Sequence, residues 1–552
     1  MNQYHAAWVF VVPALSLALT AAGARAETAR SDIVLILADD MGFSDVGCFG
    51  GEIRTPHLDR LAASGLRFTQ FYNCSRCSPT RAALLTGQYP HKVGLARNGH
   101  SLTRNGLTIA EALRAAGYQT AMSGKWHLSE TPVLTDPRQH QHWLDHQHDP
   151  GRPFAPLETY PVRRGFDRFY GVIWGVVDYF DPFSLVEGVE PVASVPDDYY
   201  ITDAITQNAV ARISEFARSD RPFFLYVAHC APHWPLHARP EDIARYRDTY
   251  ADGWHALRKT RYRRQIEMGL FDERDTPLPE LTGRGKDWGA LTDEERRFQS
   301  AKMAVHAAMV DRLDQGVGEI VQALERAGRL ENTLIMFLSD NGASPEVPNE
   351  PGYDRSSQTR DGRPIRYRGF DAPGPETTYT GIGPRWASAA NTPFRYWKME
   401  SFEGGSHTPC IVHWPRGLKT ADGAVSDELA HVIDVLPTCL ESAGAPYPAE
   451  HDGQRLTPLD GRSLLPVLQR GKRQGHERLF FEHVGGRAIR EGDWKLVART
   501  AASDQWELYN VAKDRTETRD LAAEHAERVT SLRRAWRNWF EDVSRGSEVE
   551  RQ

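Results

Sequence analysis

Residues 74–87 read CSRCSPTRAALLTG, with Cys77 followed by Ser78, Pro79 and Arg81. Two cysteines three apart admit three chemistries: a redox or disulfide pair, half of a zinc site, or one reactive Cys77 presented by a helix. Zinc would need a second Cys or His pair at matching spacing, and none is evident. A thioredoxin-type pair stays an alternative, although the flanking chain lacks the small redox domain that normally carries one. For the third reading, Pro79 suits the first position of a helix with Ser78 as its cap, and Gly87 stops it. Cys77 then sits beside a helix N-terminus, where the partial positive charge favours a thiolate and binds anions. Arg81 lies one turn on.

Acidic pairs supply the second signal. Asp39-Asp40 closes one apolar run and Asp340-Asn341-Gly342 closes another. Adjacent carboxylates after a buried strand ionise only if a cation compensates them. A cap or turn explains one Asp at each place, but two pairs at the same edge of one sheet point to a metal. Four oxygen ligands with no obligatory His or Cys describe a hard cation, calcium or magnesium, rather than zinc.

The elements that must carry these residues follow from patterning. SDIVLILA at 31–38 is a continuous β-branched and leucine run, as in a parallel strand buried on both faces. Residues 221–228, 332–339 and 409–415 read as further buried strands, and 57–65 and 107–117 as helices. Met303, Val310, Leu313, Val317, Ile320 and Leu324 mark a long amphipathic helix. This alternation predicts an α/β sandwich with a mainly parallel central sheet, whose ligands bind beyond the carboxyl ends of the strands. From about Gly475 short strands and a final helix from roughly Ala522 to Val543 predict a small C-terminal α+β subdomain. The Pro, Gly, His and Arg-rich segments 130–200 and 235–295 read as long loops decorating the sheet.

At 552 residues the chain buries a large core, and a net charge of -7 with 25% charged residues advertises neither nucleic acid nor an anionic membrane as partner. The basic run 258–264, RKTRYRR, reads as a solvated helix face. Within residues 1–26 an apolar run from Ala6 to Ala22, interrupted by Pro13, is closed by Ala24-Arg25-Ala26, the pattern of a secretory signal peptide, with no Lys or Arg at its start. The expected organisation is a signal peptide at 1–26, a catalytic domain at 27–474 and a C-terminal subdomain at 475–552. The mature protein is expected to be exported, periplasmic or secreted, without stable membrane insertion. Cys48, Cys74, Cys77, Cys230, Cys410 and Cys439 are too sparse for a disulfide scaffold.

CSPTR matches the C-x-P-[ST]-R sequence of type I sulfatases, and LLTGQYPHKVG continues that family's signature. SGKWH (123–127), APHWP (231–235), SDNG (339–342), NTPFRYWKMESFEGG (391–405) and WELYNVAKDRTETRDLA (506–522) resemble the family in the same order. The resemblance covers nearly the whole mature chain and is closest to arylsulfatase-like members with the alkaline phosphatase fold. It implies that a formylglycine-generating enzyme converts Cys77 to formylglycine, whose hydrated aldehyde attacks sulfur and then expels sulfate. It also implies one calcium held by Asp39, Asp40, Asp340, Asn341 and an oxygen of the modified Cys77, with Asp340 placed to take the nucleophile's proton. By the same resemblance Arg81 and His127 orient the hydrated aldehyde, His127 receives a proton during sulfate release, Lys125 and Lys398 bind sulfate oxygens, and His233 protonates the leaving alcohol.

Other residues read more plainly. His229 and His407 are expected to be structural, and His140, His142, His146 and His148 to form a polar loop, at the rim of the substrate site at most. Cys74 is incidental. Trp126, Trp234, Trp174, Tyr179 and Phe180 offer aromatic walls that stack on an aryl ring or a sugar, against plain core packing. The expected activity is hydrolysis of small aryl sulfates, with a sulfated carbohydrate as the alternative natural substrate. A phosphonate or phosphate ester hydrolase of the same superfamily is the competing enzyme reading, opposed by Asn341, where two-metal members have histidine. A binding protein with a Cys74–Cys77 disulfide is the non-enzymatic one.

Overall fold

The structure, a computed structural model, describes Met1 and residues 30–145, 152–499 and 505–549. The expected signal segment beyond Met1, and His146 and His148, lie outside these residues. In chain order the strands are β1 (Asp32–Ala38), β2 (Leu66–Phe68), β3 (Phe71–Tyr72), β4 (Gln119–Gly124), β5 (Arg168–Val172), β6 (Leu185–Glu187), β7 (Glu190–Pro191), β8 (Phe223–Ala228), β9 (Thr333–Ser339), β10 (Cys410–His413), β11 (Ala424–Ser426) and β12 (Ala430–His431). Ten of them form one sheet in the order β11-β2-β10-β9-β1-β8-β4-β5-β6-β7, and β3 pairs with β12. The central five, from β9 to β5, run parallel, whereas β10 and β6 are antiparallel to their neighbours β9 and β5.

Alternate residues of β1 enter different cores. Ile33, Leu35 and Leu37 pack into one hydrophobic cluster, and Val34, Ile36 and Ala38 into the other. A strand covered on both faces needs apolar side chains at every position, which is why DIVLILA shows no polar alternation. The helix Asp293–Arg326 starts at a capping box between Thr292 and Glu295, and packs with Ile201–Phe216 on the second of these faces. Stretches 130–200 and 235–295 are more than loops: the first supplies the edge strands β5 to β7, and the second the helix Gly253–Glu267.

That helix overturns the solvated reading of RKTRYRR. Trp254, Leu257, Arg258, Arg261 and Gln265 are buried along one stripe, and Arg261 pairs with Asp45 at 2.7 Å and Glu52 at 2.8 Å. The density of charge in the run hides a helical period whose inward positions include arginines.

At the C-terminal end, strands Arg478–His483, Gly486–Glu491, Trp494–Ala498 and Glu507–Asn510 make a four-stranded antiparallel sheet. Leu532 and Trp536 of the helix Ala526–Val549 pack against Ile489, Leu496 and Leu508. This sheet is keyed to the main one by charge. Lys495 reaches Glu403 at 2.7 Å and Glu517 at 2.9 Å, with all three side chains fully buried. Tyr72 of β3 donates to Glu403 at 2.7 Å and accepts from Arg490. Among the described residues no helix is long and apolar enough to cross a membrane.

Candidate active site

β1 and β9 run in register, Ala38 beside Ser339, so Asp39-Asp40 and Asp340-Asn341 leave the sheet side by side. The Asp340 amide donates to the Ala38 carbonyl at 3.1 Å, the Asp40 amide to Asp340 Oδ1 at 3.2 Å, and Asn341 Nδ2 to Asp40 Oδ1 at 2.7 Å. On the other side of β8, β4 delivers Lys125 and His127 from its carboxyl end, and β8 itself leads to His233. Asp40 at φ 66° and His127 at φ 56° hold left-handed backbone, a conformation that costs energy in non-glycine residues and clusters at functional sites.

The helix Cys77–Thr86 presents the cysteine in its first turn. It begins at Cys77 itself, with Arg76 as the extended N-cap residue and no side-chain cap. The Ser78-cap, Pro79-first expectation is therefore two residues late, while Gly87 in left-handed conformation does close the helix. The thiolate expectation also fails. Burial pushes the Cys77 thiol up to about 12, with Asp340 and Asp39 adding to it and Lys398 and Lys125 opposing. Two nearby carboxylates and loss of water outweigh a helix end.

Each carboxylate carries its own cation. Arg81 grips Asp340 Oδ2 through Nε at 3.0 Å and Nη2 at 2.8 Å, and spends Nη1 on the Lys125 carbonyl at 2.8 Å. Lys125 Nζ bonds Asp39 Oδ2. Lys398 Nζ reaches Asp40 Oδ2 at 2.9 Å and His233 Nε2 at 3.2 Å. Burial raises the Asp39 carboxyl, and Asp340 adds to it. Burial would raise Asp40 too, but His233 and Lys398 hold it below the usual range. Burial also lowers the two imidazoles, His127 well below its ordinary value with Lys125 and Arg81 contributing, and His233 to about 4, against the pull of Asp40.

Among the four acidic-pair side chains two buried oxygens are without partners, Asp39 Oδ1 and Asn341 Oδ1. Ligand atoms of Asp39, Asp40, Cys77 and His233 lie within 4.8 Å of one another. Asp340 borders that cluster with Oδ2 turned to Arg81, and Asn341 borders it through Asp40. Unpartnered hard oxygens at the rim of a carboxylate pair fit a cation, so the donor set is compatible with the metal that the pattern of acids implies.

Cys77, Arg81, Lys125, His127, His233, Lys398 and the four acidic-pair residues thus converge on one end of the sheet. Sequence reasoning missed Glu346 and Arg76. Glu346 ties Lys398 at 3.0 Å and Arg76 at 3.1 Å, and accepts from Trp234 Nε1 at 3.2 Å. Despite partial burial, Lys398 and Arg76 hold its carboxyl well below the usual range. Arg76 adjoins Cys77 in sequence, a signal that was available; Glu346 has none. Of the expected aromatic walls, Trp126, Trp174 and Tyr179 are core residues, Trp126 donating to the Thr159 carbonyl at 2.9 Å. Phe180 is half-buried against the core; Trp234 reaches the cluster through Glu346, and Tyr179 only through its hydroxyl, which bonds the Cys230 and His233 carbonyls at 2.7 and 2.8 Å. His229 is buried without a polar partner, and His407 pairs with Glu403 at 3.1 Å. His140 bonds the Tyr353 carbonyl at 2.7 Å, and His142 is exposed on the same helix, Pro137–Leu144. All six cysteines are free.

The family model described as Sulfatase matches residues 31–445, and that described as N-sulphoglucosamine sulphohydrolase, C-terminal, matches residues 395–540. An uncharacterized sulfatase of Schizosaccharomyces pombe is 32% identical, covering 93% of this chain and 94% of its own. An arylsulfatase of Klebsiella aerogenes is 31% identical, covering 82% and 95%. Among solved structures, that of Ps i-CgsB superposes with a TM-score of 0.64 at 25% identity over 92% of each chain. Alike in sequence along nearly its whole length and alike in fold, the chain belongs to the sulfatase family and is a hydrolase of sulfate esters.

Proposed function

We propose that ester cleavage runs through residue 77 after Cys77 is converted to formylglycine by a formylglycine-generating enzyme. We also propose one calcium at Asp39, Asp40, Asp340, Asn341 and the modified residue, and export on the segment 1–26. The observation that carries the reading is the position of Cys77, at the head of its helix and within 4.8 Å of ligand atoms of Asp39, Asp40 and His233. Once hydrated, the aldehyde supplies one hydroxyl to attack sulfur and a second whose deprotonation releases sulfate. A calcium held by these residues would supply positive charge to the sulfate ester.

The remaining work falls to side chains. Lys125 and Lys398 donate to sulfate oxygens in a site closed to water, where charge-assisted bonds act strongly. Arg81, fixed at three points, holds Asp340 in line with residue 77. Asp340 Oδ1, which accepts the Asp40 amide, has a lone pair left for the nucleophile's proton. His233 Nδ1 donates to the Trp234 carbonyl at 2.6 Å, so Nε2 accepts from the Lys398 ammonium at 3.2 Å. The imidazole protonates the leaving alcohol with a proton that Nε2 takes from Lys398, and His127 Nδ1, with no partner, accepts a proton as sulfate departs.

Small aryl sulfates are the expected reporters of this chemistry. Mass spectrometry of the peptide containing residue 77, joined to steady-state comparison of an aryl sulfate with the matching aryl phosphate, tests it. The expected result is an aldehyde at 77, preference for the sulfate and no turnover in Cys77→Ala. Full activity with an intact thiol overturns the mechanism, and preference for the phosphate moves the chain to the phosphoesterase branch.

A further inference from the structure

Four lysines are buried among the described residues: Lys125, Lys302, Lys398 and Lys495. Three of them bond a carboxylate directly, Lys125 to Asp39, Lys398 to Asp40 and Lys495 to Glu403. Lys302 is different. It is 4% exposed on the helix Asp293–Arg326, and it has no hydrogen bond or ion pair. Burial alone pushes it down to about 7, with no charged neighbour contributing. An ammonium on so buried a side chain, open only to the groove it lines and with no carboxylate opposite it, is costly, and a ligand in that groove completes it.

Lys302 lines a groove of about 1120 Å³. Its Nζ lies 3.4 Å from where a Cβ on Gly383 would stand, which places the ammonium against the 380–385 wall. Ile382 of that wall also lines the small cleft formed by Asp40, Trp234 and Glu346. Val347, next to Glu346, stands in the groove, so the groove opens beside the catalytic cluster. Six basic and three acidic residues line it. Lys286 is neutralised by Glu295 at 2.7 Å, while the exposed Arg284, Arg297 and Arg368 have no ion pair. Half-buried Phe298 and Tyr367 add aromatic surface of the kind on which sugar rings stack. A space of this volume exceeds what one aryl ring fills.

We infer that this groove is a subsite for a second anionic group, sulfate or carboxylate, on a sulfated oligosaccharide whose scissile sulfate sits at residue 77, with Lys302 as the anchor. The inference rests on the sulfatase reading of the catalytic cluster and adds to it the class of substrate. Lys302 supplies the buried charge-assisted contact, and the three unpaired arginines supply the surrounding field.

The test uses the full chain and an aryl sulfate as reporter, with a heparin-derived tetrasaccharide and its desulfated counterpart as competitors. In the parent protein the sulfated tetrasaccharide is expected to inhibit at least ten-fold more tightly than the desulfated one. Lys302→Met should raise its inhibition constant about ten-fold relative to the KM for the aryl sulfate, and Arg368→Ala, on the exposed rim where misfolding is not at issue, about three-fold. Calorimetric titration of the same tetrasaccharide into both variants reports binding even if aryl sulfate turnover is absent, a result that would count against the catalytic reading and not against the groove. Equal binding of sulfated and desulfated sugar, or an unchanged ratio in both variants, overturns the proposal.

Discussion

Arg81→Lys keeps the charge and removes the shape, so it isolates what the guanidinium fork contributes. In the folded protein Arg81 makes two bonds to Asp340 and one to the Lys125 carbonyl, all fully buried. A lysine ammonium is a compact donor that can reach Asp340 but cannot span to the carbonyl of the neighbouring loop. Two bonds are then lost, each involving a charged group and each worth about 1.5–3 kcal/mol, or about 3–6 kcal/mol together before relaxation. Asp340 and Lys125 both belong to the proposed reaction machinery, so if half of that loss falls on the transition state, about 1.5–3 kcal/mol, kcat/KM drops roughly 10- to 150-fold. Arg81→Met, which strands a buried carboxylate, should cost about 3–5 kcal/mol in stability as well. The assay is kcat/KM on an aryl sulfate, expressed per mole of chain modified at residue 77 as counted by mass spectrometry, beside thermal melts of each variant. If Arg81→Lys stays within about two-fold of the parent in both, the fork is not what aligns Asp340.

Chelation should abolish turnover and calcium restore it, with elemental analysis finding one calcium per chain; two metals or stoichiometric zinc would contradict the assignment. Asp340→Ala should be inactive yet fold, as seen by an unchanged circular dichroism spectrum. Gly175→Ala places a Cβ 2.5 Å from His127 Cε1 and Nε2, so kcat should fall at least about ten-fold while the melting temperature moves little. Burial lowers His407 and His483 to about 4 and His431 to about 3. The unfolded chain therefore takes up protons below about pH 6.5 that the folded chain refuses, and stability should decline steadily from there toward pH 4; a flat melting temperature across that interval would contradict the burial argument.

The strand ends were readable because a doubly buried parallel strand declares its length through an unbroken apolar run, and an acidic pair placed after it is rarely anything but a ligand or a cap. Lys125, His127, His233 and Lys398 were readable only through the motifs around them, since no local pattern distinguishes them from surface residues. Glu346 escaped because it lies on a loop with no periodic signal and gains its role from Lys398 and Arg76, distant or uninformative in sequence. The error over Trp126 has a geometric origin. In extended chain successive side chains point to opposite sides, so a tryptophan between Lys125 and His127 is turned away from the site and into the core with Phe166. In RKTRYRR the helical period likewise turns Arg258 and Arg261 inward while the other basic residues of the run face water.

The lock between Lys495, Glu403 and Tyr72 has a bearing on biosynthesis. Cys77 is 1% exposed in the finished fold, out of reach of any modifying enzyme. Residues leading to it are fastened by partners made much later: Tyr72 by Glu403 and Arg490, Asn73 by the Ser406 carbonyl, and the Ser75 carbonyl by the Met399 amide. Until the ribosome has passed residue 495, those partners are missing or uncompensated, and the CSPTR segment has nothing to close over it. Chemistry on the cysteine thus has a window set by chain order, open until the segment carrying Arg490 and Lys495 has been made and shut when the C-terminal sheet docks. A chain truncated before 475 would leave Glu403 buried without its lysine, and the separate folding of residues 27–474 is not to be expected.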